Sequence, residues 1–238
     1  MEEIKIAPDI VFEFFGLRFT NSIITSFFVS FLILIFVFIF KKKISLLPNK
    51  FYNFIESIIE FFYEFVKENL GEKGKNFFPF IFTLFFYVVL NNWFGILPFI
   101  SSLKIYHAGE EVHLFRSTFS DINMTLGLAL ASMISIHLIS LKYLRFGHIK
   151  KFLNFENPMK FFIGILEGFS EISKIFSFSF RLFGNIFAGE VLLVIVGFLV
   201  PLAVPVPFLG LEIFVGFIQA VIFSALTMFF LKIHLESH

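Results

Sequence analysis

Arg181 stands near the middle of an apolar run that extends from about 162 to 199, with Phe180, Leu182 and Phe183 around it. A guanidinium does not deprotonate in proteins, so it cannot itself pass a proton. It is a fixed positive charge that favours the ionised form of any carboxylate brought close, which makes it a proton-release device in a low-dielectric setting. The nearest carboxylates in the chain are Glu190 and Glu171, nine and ten residues away. Nine residues are two and a half helical turns, so Glu190 points to the opposite side, while Glu171 lies about 15 Å along the axis. Neither is an intrahelical partner. The middle of a span is also a poor place for an arginine to snorkel, and a charge held there is functional by default.

Other polar residues are ordered around this one. Along the same run Glu167, Ser170, Glu171, Lys174, Ser177, Arg181 and Asn185 fall within an arc of about 120°, and Ala188 and Gly189 continue the stripe. Charge in lipid is expensive, so the stripe faces water or protein, and its small residues permit close approach by another helix. Glu190 and Glu212 sit toward the other end, on two neighbouring helical runs, where they could line an aqueous cleft and relay protons. Glu212, Gly216 and Gln219 share one face at i, i+4 and i+7. Glu167, Glu171 and Lys174 either line a second cleft on the cytoplasmic side or mark the interfacial part of their helix; the sequence leaves both open. His137, inside an apolar run with no visible partner, reads as a hydrogen-bonded packing residue. His107, Glu110, Glu111 and His113 have no metal-site spacing and read as solvated. No metal ligands or cofactor-binding residues are assigned, and the lack of a phosphate-binding Gly-rich loop argues against nucleotide chemistry in this chain.

The elements that must hold these residues follow from composition. The chain has 238 residues, 58% hydrophobic and only 16% charged, with 43 Phe; soluble domains carry about a quarter charged residues. The balance and the long uncharged stretches make lipid the solvent, and one membrane domain spans 1–238. A net charge of +1 favours no nucleic acid. The absence of cysteine excludes disulfides and thiolate metal sites. The acidic N-terminus lacks the basic region of a signal peptide, so the first apolar run reads as an uncleaved span.

About 20 residues cross a bilayer core of about 30 Å, and the runs at 22–40, 77–98, 122–141, 162–199 and 208–231 are predicted to do so. The fold class is therefore an all-α integral membrane protein of five transmembrane helices, the last two long and strongly tilted. Segment 41–76 holds seven Lys, and 142–160 holds Lys142, Arg145, Lys150, Lys151 and Lys160. The positive-inside rule then sets the N-terminus outside and the C-terminus in the cytoplasm. Segment 51–70 differs in kind: Phe54, Ile58, Phe62 and Phe65 share one face, and Glu56, Glu60, Glu64 and Lys67 the other. It is predicted as an amphipathic helix in the cytoplasmic interface, its acidic face either a protein-docking surface or merely solvated.

Residues 181–190 read Arg-Leu-Phe-Gly-Asn-Ile-Phe-Ala-Gly-Glu, and this stretch strongly resembles subunit a of F-type rotary ATP synthases. Leu-Glu-Gly at 166–168, Ser173-Lys174, the Asn91-Asn92-Trp93-Phe94-Gly95-Ile96-Leu97-Pro98 close of the second span, Gln219-Ala220 and Asn21-Ser22 match in order, so the resemblance covers nearly the whole chain. Ile175 departs from it, standing where many relatives have Pro. The resemblance implies a stator channel beside a rotating c-ring, held with peripheral stalk b subunits in a bacterial plasma membrane, and not catalytic by itself. It implies that Arg181 faces the carboxylate of each passing ring subunit and keeps two half-channels from short-circuiting. Asn185 and Gln219 would support Arg181, Glu190 and Glu212 would line the outer half-channel, and Glu167, Lys174 and Asn92 belong with them in the ion path. The ion is a proton or sodium, a choice made by the ring. The rival reading, a self-contained secondary ion transporter, requires an internal inverted repeat and discontinuous helices, and the sequence has neither. A membrane scaffold would have no use for Arg181.

Overall fold

The computed structural model describes residues 7–42, 50–97, 103–107, 110–144, 158–200 and 204–236. The first element is a small hairpin of β1 (Ile10–Phe14) and β2 (Leu17–Thr20). Its two-residue loop, Phe15-Gly16, has positive φ at both positions, 50° and 77°, as a tight hairpin turn with the native strand twist requires. The chain then enters α1 (Asn21–Lys42), where the Thr20 hydroxyl accepts the backbone N–H of Ile23 at 3.4 Å and so caps the helix start.

The amphipathic segment forms α2 (Lys50–Leu70). It ends at Gly71, whose φ of +62° is the left-handed turn that glycine makes without steric cost, and a short 3-10 turn leads into α3 (Gly74–Ile96). Phe62 and Val66 turn inward, and Phe62 lies 4.2 Å from Phe85 between ring centroids. Gly74 makes this reversal close: a Cβ there would stand 2.9 Å from the Val66 carbonyl oxygen.

A second hairpin follows, β3 (Lys104–His107) with β4 (Glu110–His113). The sequence suggests a solvated loop here and no strands; among the described residues the hairpins instead form two small two-stranded sheets beside the helices. Tyr106 donates its hydroxyl to Glu111 at 2.7 Å, and that bond, followed by the charge of Lys104, holds the Glu111 carboxyl below its ordinary pKa.

Among the described residues three long helices follow: α4 (Ile122–Leu144), α5 (Pro158–Leu199) and α6 (Pro205–Glu236). Asp121 caps α4 by accepting the backbone N–H of Asn123 at 2.9 Å. Both α5 and α6 start on proline, a residue whose fixed φ and missing donor cost nothing in the first turn. This is why they begin earlier than the apolar runs at 162 and 208 suggested. Among the described residues five helices are long and apolar enough to cross a membrane, as expected.

The spans alternate in direction, so one end of the bundle carries both hairpins and the other carries Lys41, Lys142, Lys160 and Lys232. Helix α6 is the central element, in contact with α2, α3, α4 and α5. Its buried stripe of Gln219, Ala220, Phe223, Thr227, Leu231 and His234 repeats at helical spacing. Without a hydrophobic drive between helices in lipid, close packing and interhelical hydrogen bonds must do the joining. Asn92 Nδ2 donates to the Gly216 carbonyl at 2.8 Å and Trp93 Nε1 to that of Ile213 at 3.0 Å, tying α3 to α6. Thr125 and Ser179 hydroxyls meet at 2.9 Å between α4 and α5, and those of Ser26 and Tyr87 at 2.7 Å between α1 and α3.

Candidate functional site

Only 11% of the most apolar window of α5 is buried inside the chain, against 33% for those of α4 and α6. The first helix, α1, is equally bare, but its open surface is uniformly Phe27, Phe31, Leu34 and Phe38, which suits lipid. That of α5 is not. Gly164, Glu171, Phe178, Leu182 and Ile186 face the core, while Ser170, Ser177, Arg181, Gly184, Asn185 and Ala188 form a polar and small stripe on the open side. The stripe predicted from sequence is thus divided: Glu171 turns inward, and Arg181 turns outward.

Arg181 donates to the Ser177 hydroxyl at 3.4 Å, one turn back on its own helix. Among the described residues no carboxylate lies within ion-pair distance of it. Its guanidinium opens onto a cleft of about 640 Å³ whose walls include Ile222, Leu226, Phe229 and Lys232 of α6 and Phe65 and Asn69 of α2. This cleft is apolar and holds two cationic side chains. Asn185 shares the open face, and Gln219 is buried in α6; neither makes a hydrogen bond to Arg181 among the described residues.

Toward the hairpin end, Glu190 and Glu212 are brought to adjacent helices. The Glu212 carboxylate packs against Gly189, where a Cβ would stand 2.8 Å from its Oε1. Any larger residue at 189 would push that carboxylate aside. Glu190 has a partner from across the chain: Arg116 Nε stands 3.7 Å from Glu190 Oε1. Arg116 is itself fixed, donating from Nε to Ser120 at 3.0 Å and from a terminal nitrogen to the Ala7 carbonyl at 3.0 Å. Asn92 lies on this half of α3, and its Oδ1 is buried with no hydrogen-bond partner.

Toward the lysine end, a second cluster assembles from three helices. Lys174 donates to Glu171 Oε1 at 2.6 Å, and its ammonium also lies 4.5 Å from the centre of the Phe230 ring. His137 of α4 reaches Glu171 Oε2 at 3.7 Å, and His234 of α6 reaches Glu171 Oε1 at 3.5 Å. His137, whose partner is not visible in the sequence, thus lies beside the Glu171 carboxylate. Its partners come from helices about 35 and 100 residues away in the chain, a distance no local pattern spans. Nothing in the sequence singled out His234. Glu167 sits half-buried at the margin of the open stripe.

Glu171 and Glu190 are 19 residues apart on one helix, about 28 Å, close to the hydrocarbon thickness of a bilayer. Arg181 divides that distance in two. The geometry therefore offers a polar cluster toward each end of α5, with an outward-turned cation between them.

Comparison with known proteins returned matches over nearly the whole chain. The family model described as ATP synthase A chain matches residues 23–232. The ATP synthase subunit a of Gloeobacter violaceus is 34% identical over 219 residues, which is 92% of this chain and 85% of that relative.

Proposed function

The chain belongs to the ATP synthase A chain family, a multi-pass and non-catalytic membrane subunit with a role in proton translocation, and from that premise we propose that it is the stator channel in which Arg181 meets a carboxylate carried past by a rotating c-ring. The observation that carries this reading is the outward Arg181, set on a stripe of small and polar residues with no carboxylate of its own chain beside it among the described residues. An unpaired charge at mid-membrane is costly by at least about 2.5–3.5 kcal/mol. A ring helix bearing an acidic side chain would offset that cost, and the small Gly184 and Ala188 would let it approach.

In this reading the two clusters mark two half-channels. Glu190 and Glu212, with Arg116 near them and Asn92 behind, line the outer one. Glu171, Lys174, His137 and His234 line the inner one, with Glu167 at its margin. The excess of lysine at one end of the bundle supports a cytoplasmic C-terminus and an outer N-terminus, and the family supports a bacterial plasma membrane. A ring carboxylate would travel neutral through lipid, lose its proton beside Arg181 and be reprotonated from the other cluster. Because the clefts open to opposite sides, ion flow through them turns the ring. Asn185 and Gln219 flank the exchange point, and the b subunits of a peripheral stalk would hold the chain against the torque.

The test is ATP-driven proton pumping in membrane vesicles. Arg181→Ala should abolish it while the complex still assembles, and normal pumping would refute the proposal. Copurification with a ring of small hairpin proteins distinguishes this stator from a self-contained transporter, which would move its ion alone.

A further inference from the structure

The cluster at the lysine end has a second chemical capacity. His137 and His234 each present Nε2 to Glu171, from which they stand 3.7 and 3.5 Å away, and one ligand atom from each of the three residues lies within 4.8 Å of the others. A tetrahedral zinc ion with bonds of about 2.0–2.2 Å separates its N and O ligands by about 3.3–3.5 Å. Each of these contacts is within a few tenths of an ångström of that separation, one to Glu171 Oε2 and the other to Oε1, so a bound ion would draw the second nitrogen toward the oxygen it coordinates.

The donor set is also oriented as metal sites are. His234 Nδ1 lies 2.8 Å from the Phe230 carbonyl oxygen. A carbonyl only accepts, so Nδ1 carries the proton, and in the neutral ring Nε2 then turns its lone pair toward the carboxylate. A backbone carbonyl on the far ring nitrogen is the usual way a metal-binding histidine is fixed in tautomer and direction. Glu171 Oε2 is buried with no hydrogen-bond partner, on a side chain only 10% exposed. Two acceptors set face to face in a low-dielectric interior are stabilised by a cation between them. The His137 side chain, 30% exposed, leaves a way in.

We propose that His137, Glu171 and His234 form a site for a divalent transition metal of the zinc class, a fourth position being left to water, with Lys174 as its built-in competitor. The Lys174 ammonium occupies Glu171 Oε1, so a metal ion must displace it or bind beside its charge. Affinity is thereby held down, and the site fills only when free metal rises. By its position the bound ion would stand in the inner ion route; that consequence, unlike the binding itself, rests on the function proposed above.

The measurement is equilibrium dialysis of free Zn²⁺ against the purified ATP synthase complex in detergent. The complex should hold one more zinc per copy of this chain than the His137→Gln/His234→Gln variant, whose side chains keep much of the bulk and polarity. The Lys174→Met complex should bind that zinc about tenfold more tightly or better. Equal zinc binding by the wild-type and double-variant complexes would overturn the site, and unchanged or weaker binding by Lys174→Met would overturn the competition. Should the double variant fail to assemble, tighter zinc binding by the Lys174→Met complex supports the site, and unchanged binding overturns it together with the competition. Zinc at the occupancy so measured should also stop proton pumping by the wild-type complex. Zinc bound as described with pumping intact would leave the site standing and remove the cluster from the ion route, whereas normal pumping by Arg181→Ala would sink the stator reading and leave the metal site untouched.

Discussion

An arginine and a lysine carry the same charge, yet only one of them suits the position of Arg181. The planar guanidinium presents several donors in a fixed fork and cannot lose its proton, whereas an ammonium is a compact and more strongly hydrated point charge whose pKa falls on burial. Arg181→Lys is therefore expected to fail in proton pumping almost as completely as Arg181→Ala; a lysine variant that pumps at a near-normal rate would show that charge alone suffices. The carboxylates at the other end are expected to behave differently. If Glu190 and Glu212 share one aqueous path, Glu190→Gln and Glu212→Gln should each slow pumping by less than the Arg181 variants do. The double variant should slow it more than either, and full activity in that double variant would take both residues out of the route. Gly189 belongs to the same group, since a Cβ there would meet the Glu212 carboxylate at 2.8 Å. The far end of a side chain can move aside, so Gly189→Ala should leave assembly unchanged and alter pumping.

Between elements, the contacts that matter are small residues and paired amides. Gly95 allows α3 to lie against the segment before α4: a Cβ there would stand 2.5 Å from the Ser117 hydroxyl and 2.9 Å from the Ser117 Cα. Backbone cannot turn aside as a carboxylate can. Gly95→Ala should cost about 1–3 kcal/mol of overpacking, read as lower accumulation in the membrane or earlier thermal loss of the complex. Gly127→Ala, where a Cβ meets nothing within 4 Å, is the matched control and should be harmless. The bond from Asn92 to the Gly216 carbonyl is buried, but such bonds in membrane proteins contribute about 0.6 kcal/mol on average and no more than about 1.7. Asn92→Ala should accordingly lower stability only slightly. A marked pumping defect in a variant that accumulates normally would place Asn92 in the ion path and not merely in the packing.

At the scale of the whole molecule, α5 and α6 are about 63 and 48 Å long by their residue counts of 42 and 32. Both exceed the hydrocarbon thickness of about 30 Å, so they must tilt or run along an interface. Their open side is where a partner fits. Gly184 lies on it with nothing within 4 Å of where a Cβ would be. Gly184→Leu is predicted to leave this chain folded and inserted in the membrane while weakening its copurification with the ring. Unimpaired association of that variant would show that the ring does not sit on this face. The prediction belongs at this scale because no contact inside the chain is altered.

Composition and periodicity alone settled the solvent, the five spans and the amphipathic character of α2, because lipid admits few backbone solutions and a helix repeats its faces at a fixed angle. The stretch from Arg181 to Glu190 likewise carried the family, since its residues are contiguous. What only the tertiary structure decided is which polar residues meet. Glu171 and Arg181 lie on one predicted stripe, yet Glu171 is buried against α4 and α6 while Arg181 stays exposed, a distinction set by which neighbours cover the helix and not by its own sequence. His137, Glu171 and His234 come together from three helices, and Arg116 reaches Glu190 across the chain, through contacts that no local spacing encodes. The two hairpins escaped notice for a related reason: short strands of mixed polarity have little periodicity to read, and their pairing is fixed by turn geometry and by the helix ends beside them.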